Sequence, residues 1–203
     1  MEASLAVAER VGAEQKVIFF TEVYCPLSRA CCLLRHERYE EAGQKFPDAI
    51  AQWFGAGMRV CGLWLKVLHA EALLGNNHAD FVPPLLIDAE EEIEKPGYGE
   101  RLALAEVLRL RACALVSKGK TQEAVKQLQR AIETAHEMKA RFFELRATRD
   151  LAVILKNDGR QDEALRILKP IYEWFTEGHE TRDLRSADAL LAELKGLEHN
   201  VHL

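Results

Sequence analysis

The sequence has little of what a nucleic-acid-binding or membrane-spanning protein needs. Its formal net charge is −5, whereas binding to phosphate backbones favours a basic surface. No run reaches the roughly 18 apolar residues that cross a bilayer. The first residues carry two acids and no basic segment, so we expect no secretory signal and a cytoplasmic location. We expect neither nucleic acid nor a membrane as a partner.

Paired cysteines and catalytic motifs are also missing. Five cysteines, an odd number without C-x-x-C spacing, argue against a disulfide framework or a zinc knuckle and predict reduced, mostly buried thiols. The sequence contains no G-x-x-x-x-G-K-[ST] phosphate loop and no G-x-S-x-G motif. None of the seven histidines has a second ligand-type residue at a convincing metal-binding spacing. We therefore expect no metal, no cofactor and no enzymatic activity.

What the sequence does have is apolar periodicity. A pattern of small and large residues at spacings of 4, 3 and 4 keeps its members on one helical face and predicts a buried stripe. Its four copies are offset by 40, 42 and 40 residues. The copies are Ala42, Phe46, Ala49, Trp53; Val82, Leu86, Ala89, Ile93; Ala124, Leu128, Ala131, Ala135; and Ala164, Leu168, Ile171, Phe175.

The segment before each stripe repeats in the same register and predicts a first helix for each copy. Each such segment has an alanine, which lets two helices approach closely, and a leucine three residues later. These residues are Ala30, Ala70, Ala112 and Ala152, and Leu33, Leu73, Leu115 and Leu155. Glycines are expected to end the first helices at Gly75, Gly119 and Gly159. Prolines predict bends or breaks at Pro26, Pro47 and Pro170.

These patterns predict an all-α fold, a right-handed superhelical solenoid of antiparallel helix pairs with a period of about 40 residues. We expect residues 1–203 to form one domain. Residues 1–13 would end an incomplete repeat, and helix pairs would span 14–57, 58–97, 98–139 and 140–178. A capping helix at 181–195 would bury Leu184, Ala187, Leu190, Leu191 and Leu194 and leave Asp183, Arg185, Asp188 and Glu193 in water.

Helix pairs of this kind resemble tetratricopeptide repeats, although the family's usual period is about 34 residues. Residues 140–194 carry the run ELRA at 144–147, the turn GR-x-x-EA at 159–164 and the segment YEWFTEG-x-x-T-x-DL at 172–184. These features resemble the C-terminal end of large bacterial signalling proteins. In those proteins an ATPase module, often with a class III adenylate or guanylate cyclase domain, precedes a tetratricopeptide-like array. The resemblance implies a C-terminal fragment or a short stand-alone relative without the cyclase and ATPase parts.

In tetratricopeptide arrays the concave groove is lined by one face of the first helices. The resemblance therefore implies groove positions at Tyr24, Leu27, Trp64, Val67, Glu106, Arg109, Arg146 and Arg149. Because arginine binds carboxylates through paired hydrogen bonds, a ligand with an apolar end and an acidic end would fit. In the alternative interpretation, the two aromatic residues pack against neighbouring helices and the arginines pair with Glu106 and Glu144. Trp174 and Phe175 are assigned to packing against the final helix.

The leading functional expectation is a non-catalytic module of a signalling or transcriptional regulator that binds a protein or peptide, such as one with an acidic segment. A sensor of a small acidic metabolite is the first alternative. Self-association, as in a homodimer, is the second, because an incomplete first repeat would leave apolar surface. Exposed aromatic residues in a groove would favour the first function, a closed polar pocket the second, and a mass that rises with concentration the third.

Overall fold

The described residues form helices and turns and contain no strand, which confirms the predicted all-α fold. The computed structural model describes residues 2–94 and 100–201. Its α-helices are α1 (Glu2–Glu14), α2 (Cys25–Arg35), α3 (Tyr39–Gly55), α4 (Gly62–Gly75), α5 (Val82–Leu85), α6 (Ala89–Glu94), α7 (Ala103–Ser117), α8 (Thr121–Glu137), α9 (Arg141–Asn157), α10 (Gln161–Glu173) and α11 (Arg182–Val201). None of the described helices is long and apolar enough to cross a membrane.

The chain divides into two compact units, Met1–Ala103 and Leu104–Leu203, called here the first and the second unit. In the first unit α2 contacts α1, α3 and α4, and in the second α9 contacts α8, α10 and α11. Helices that follow one another in the chain thus pack together, as in a helical repeat. The single domain and the superhelical shape stay predictions, and the predicted boundary at residues 97 and 98 lies outside the described residues.

The predicted stripes form the cores of both units. All their members are buried except Trp53 and Phe175, which are partly buried against these cores. The four alanines of the first helices have no exposed surface. Leu33 and Leu155 are buried, whereas Leu73 and Leu115 are partly buried. The apolar spacing thus identified the core, because residues three and four apart share one side of a helix.

The leucines of the repeat also mark where the first helices end. Each accepts a hydrogen bond from an amide five residues later, as in Arg38 N to Leu33 O at 3.0 Å, and the residue before that donor is left-handed. This is the Schellman motif. A residue with positive φ turns the chain, so that its own amide and the next one donate hydrogen bonds to the last carbonyls of the helix. The left-handed residues are Glu37, Asn77, Gly119 and Gly159, successively 40, 42 and 40 residues apart.

Gly75 ends α4 as predicted, but Asn77 rather than Gly75 adopts the left-handed conformation. Gly75 is needed for a different reason. A Cβ at this position would lie 2.3 Å from Cγ of Tyr39, so only glycine lets the ring lie across the end of α4.

None of the three prolines interrupts its helix. Pro26 lies in the first turn of α2, directly after a π-helical turn at Phe20–Tyr24, and the backbone stays helical across the junction at Tyr24 and Cys25. Pro47 and Pro170 lie inside α3 and α10, which continue past them. The second copy is interrupted instead, because turn residues separate α5 from α6.

The last helix begins where it was predicted and ends later, at Val201. The five apolar residues expected to face the core are buried. Arg185, Asp188 and Glu193 are exposed as expected. Asp183 is not, since only 17% of its side chain is accessible. Its surroundings belong to the candidate site.

Candidate functional site

The first-unit residues predicted to line a groove are divided between surface and core. Tyr24 is 44% exposed and stacks on Phe20 with ring centroids 4.9 Å apart, while Trp64 is half-buried. Leu27 and Val67 are buried, so their predicted exposure is wrong. The reason is that α2 and α4 each pack against several neighbouring elements, which leaves little of either helix facing solvent.

The second-unit residues predicted for the groove are withdrawn from solvent as well. Glu106 has no exposed surface and Arg109 is 4% exposed. The side chains of Arg146 and Arg149 are only 12% and 19% accessible. Their predicted exposure is therefore wrong, because each arginine lies against a carboxylate.

Glu106 is the carboxylate at the centre of the buried cluster. Arg109 donates to both of its oxygens, from Nε at 3.0 Å and from Nη2 at 2.9 Å. Arg146 of α9 approaches the same carboxylate, with Nη1 2.9 Å from Oε2. This pairing with Glu106 follows the alternative interpretation of the sequence, whereas Glu144 takes other partners.

Asp150 of α9 is the second carboxylate. It accepts hydrogen bonds from Arg109 Nη1 at 2.9 Å and from Arg149 Nε at 3.0 Å. Arg149 also donates from Nη1 to the Ser186 hydroxyl of α11 at 3.3 Å. The Asp183 carboxylate lies 3.8 Å from Arg149 Nη1. Three arginines thus face three carboxylates, and we call Glu106, Arg109, Arg146, Arg149, Asp150 and Asp183 the charge network.

Burial and neighbouring charges shift the pKa values of Asp150 and Arg109 in the charge network and of Cys113 beside it. Although burial alone would raise the pKa of Asp150, the charges of Arg109 and Arg149 hold it below its ordinary value. Burial lowers the pKa of Arg109, but Glu106 and Asp150 outweigh it and raise that pKa well above the usual range. Burial, and then the charge of Asp150, raise the pKa of Cys113 to about 12, so its thiol stays protonated.

The charge network pairs three arginines with three carboxylates and is largely removed from water. Such a cluster is suited to fixing how helices pack rather than to holding an acidic ligand. Its arginines already use their N–H groups on carboxylates of α7, α9 and α11. A ligand carboxylate would have to displace one of these buried partners.

An open cleft lies on the other side of α9. Arg141, Glu144, Thr148 and Leu151 recur at intervals of three or four residues, so they share one face, away from Arg149. The cleft has a volume of about 530 Å³ and runs between α8, α9 and α10. Its apolar walls come from Ile132, Leu151, Ile167, Pro170, Ile171 and Trp174.

One end of the cleft is polar. The buried Glu144 carboxylate accepts a hydrogen bond from Arg141 Nη1 at 2.7 Å through Oε2 and lies 3.0 Å from His136 Nδ1 through Oε1. The Arg141 guanidinium lies over the ring of Trp174, 5.8 Å from its centroid. A cation over an indole face is an attractive arrangement.

Trp174 was assigned to packing against the final helix, but 58% of it is exposed. Its contacts are with Arg141 and with the ring of Phe175, whose centroid is 5.1 Å away. An exposed indole beside a cleft is typical of a binding surface rather than of a core.

Sequence reasoning missed the cleft because it considered only one face of α9. The available signal was Arg141 and Glu144 one turn apart at the start of a helix, with His136 at the end of the helix before. The cleft is also more promising than a depression of about 350 Å³ on α10 and α11, which is lined largely by charged surface side chains. Among the described residues, no group of three or more His, Cys, Asp or Glu could hold a metal ion.

No protein-family model matches the chain, and neither a curated protein nor a solved structure matches it at a significant level.

Proposed function

We propose that the chain is a non-catalytic helical-repeat module that binds a protein or peptide segment, and that the cleft between α8, α9 and α10 is the binding site. The observation that carries this proposal is the cleft itself, which combines an apolar floor, a polar end and an exposed tryptophan. Its volume lies in the range of about 300–1,000 Å³ that is typical of ligand pockets.

The repeated helix endings support a tetratricopeptide-like solenoid as part of this proposal. Four first helices end in the same hydrogen-bonded motif at the same offsets as the apolar stripes. The likeness of residues 140–194 to bacterial signalling regulators rests on the sequence motifs alone. A role in such a regulator is therefore proposed on those motifs.

The experiment is a selection of binding peptides from a random library displayed on phage, with the full chain immobilised. Trp174→Ala should weaken the selected peptides about tenfold or more, because truncating an aromatic anchor costs roughly 2 kcal/mol. Isothermal titration calorimetry measures the affinity. The matched control is Phe81→Ala, which removes another exposed aromatic side chain, 62% accessible and in the first unit.

If Trp174→Ala retains wild-type affinity while its helicity is intact, the cleft is not the site. An equal loss in both variants would also contradict the proposal, since it would show no dependence on the cleft.

Small-molecule sensing is the second candidate function, because the same cleft is large enough for a metabolite. Self-association is favoured by a different observation. Val7, Val11 and Ile18 near the start of the first unit are 53%, 43% and 66% exposed, which is unusual for so many apolar residues close in sequence. A mass that rises with protein concentration would support it.

A further inference from the structure

We infer that the cleft recognises a carboxylate joined to an apolar group, with Arg141 as the residue that binds the carboxylate. The inference rests on the proposed function for the location of the site and adds the chemistry of the ligand. The carboxylate can belong to a peptide, at its C-terminus, or to a free small acid. Both sources present the same group to the cleft.

The Glu144 carboxylate at the polar end of the cleft is already engaged. Glu144 has 10% of its side chain accessible, and each of its oxygens has a partner, His136 on Oε1 and Arg141 on Oε2. A ligand donor would therefore have to displace one of these partners. The cleft does not offer Glu144 as an open acceptor.

Arg141 is the cationic side chain at the polar end of the cleft. Its hydrogen bond to Glu144 and its contact with His136 both involve Nη1, so Nη2 and Nε take no part in them. The side chain is 31% accessible, which is three times the accessible fraction of Glu144. A ligand that enters the cleft meets guanidinium N–H donors, and a carboxylate is the group that matches two of them.

Neighbouring side chains hold Arg141 in place. The ring of Trp174 supports the guanidinium from one side, and Glu144 fixes Nη1. Glu144 is itself held by His136. The Nδ1 atom of His136 lies 3.0 Å from Glu144 and 3.3 Å from Arg141 Nη1, and the shorter contact with a carboxylate favours a proton on Nδ1. A cation that is fixed before binding loses less entropy when its ligand arrives.

The start of α9 adds positive charge at this end of the cleft. Arg141 is the first residue of α9, a helix of 17 residues. The N-terminus of a helix carries a partial positive charge, so helix and guanidinium have the same sign here. The full charge of Arg141 and the partial charge of the helix together exceed the single negative charge of Glu144 in the same turn, so an anion is favoured over a cation of the same shape.

The rest of the cleft is suited to an apolar group of the ligand. Leu151 and Ile171 are 7% exposed and form an apolar floor, with Ile132 and Ile167 beside it. Burial of an aliphatic or aromatic group there contributes about 25 cal/mol per Å² of apolar surface. The carboxylate and the apolar group must therefore be close together in one ligand.

The test uses three probes of equal length, heptanoate, heptanamide and heptylamine, titrated into the full chain and followed by amide chemical shifts. Heptanoate should bind at least about tenfold more tightly than heptanamide. The reason is that a charge-assisted hydrogen bond in a desolvated site increases the affinity by at least that factor. Arg141→Gln should abolish this preference.

The matched control is Arg160→Gln. Arg160 pairs with Glu163 three residues later, at the start of α10, as Arg141 pairs with Glu144 at the start of α9, but it is not among the residues that line the cleft. The control should keep the preference for the carboxylate. Equal binding of heptanoate and heptanamide, tighter binding of heptylamine, or the same loss in both variants would overturn the inference.

Two further arms separate the sources of the carboxylate. A selected peptide that ends in leucine is compared as the free acid and as the C-terminal amide. If the free-acid peptide binds more tightly than heptanoate and depends on Arg141, the ligand is a protein terminus. If heptanoate binds at least as tightly as the peptide, the ligand is a small acid.

The inference and the proposed function can fail separately. Peptides whose binding depends on Trp174 but is equal for Arg141→Gln and the wild type would leave the cleft as the binding site. They would overturn the inference that Arg141 recognises a carboxylate. Peptides that ignore Trp174 would overturn the site itself.

Discussion

At the scale of single residues, the charge network explains why three arginines lie in the interior of an apolar helical unit. Each guanidinium lies against carboxylates of its own or a neighbouring helix. Arg109, for example, contacts both Glu106 and Asp150. Removing one partner of such a cluster is more costly than its net contribution suggests, because the remaining charge stays buried and uncompensated. The arginines that the sequence suggested for ligand binding are therefore held in ion pairs within the unit.

Asp150→Asn tests this claim. It leaves Arg109 and Arg149 without a full counter-charge, so the free energy of unfolding should fall by roughly 3–5 kcal/mol. Urea denaturation measures it. The matched control is Glu163→Gln, which removes the acid of an exposed pair and should cost about 1 kcal/mol at most. Equal losses in the two variants would contradict the role of the network.

The same substitution should change the pH dependence of stability. The pKa of Asp150 is lowered in the folded protein, and its unfolded value is about 3.9. Its contribution is thus fully present above about pH 4 and is lost as the pH falls through the lower, folded value. In Asp150→Asn the loss of stability below about pH 4 should be smaller than in the wild type. Parallel curves would contradict this assignment.

At the scale of helices, the sequence predicted which residues share one face of a helix. It did not predict which neighbouring helices cover that face. The stripes and the capping helix were predicted correctly because apolar burial dominates their energetics and follows the helical period. The two faces of α9 were assigned less well. Periodicity places Arg149 opposite Glu144, but only the neighbouring helices decide which face is covered, and that depends on contacts between residues distant in sequence.

The helix endings give a prediction at this scale. Lys139 follows the end of α8 with φ of +56°, a conformation that costs a side chain roughly 1 kcal/mol relative to glycine. Its side chain is exposed, so Lys139→Gly should raise the free energy of unfolding by about 0.5–1 kcal/mol. The control is Lys126→Gly, an exposed position inside α8, which should lower it by about 1 kcal/mol. Thermal denaturation of both variants is the measurement, and destabilisation by Lys139→Gly would contradict the prediction.

At the scale of the whole molecule, the proposed binding site belongs to one of two compact units. The groove that the sequence suggested would have used residues of both units, from Tyr24 to Arg149. In the structure several of those residues serve the cores, and the cleft draws only on α8, α9 and α10 of the second unit. The location of the binding site, at the cleft between α8, α9 and α10, is therefore what must be tested.

The three tryptophans allow that claim to be tested in one spectrum. Trp53 and Trp64 lie in the first unit and Trp174 at the cleft, so their three indole N–H signals report on different places. The signals are recorded with nitrogen-15 labelled chain during titration with a selected peptide, and Trp174→Ala assigns the third. The account predicts that the Trp174 signal moves with peptide concentration while the other two stay in place. A shift of the Trp53 or Trp64 signal with Trp174 unchanged would contradict it.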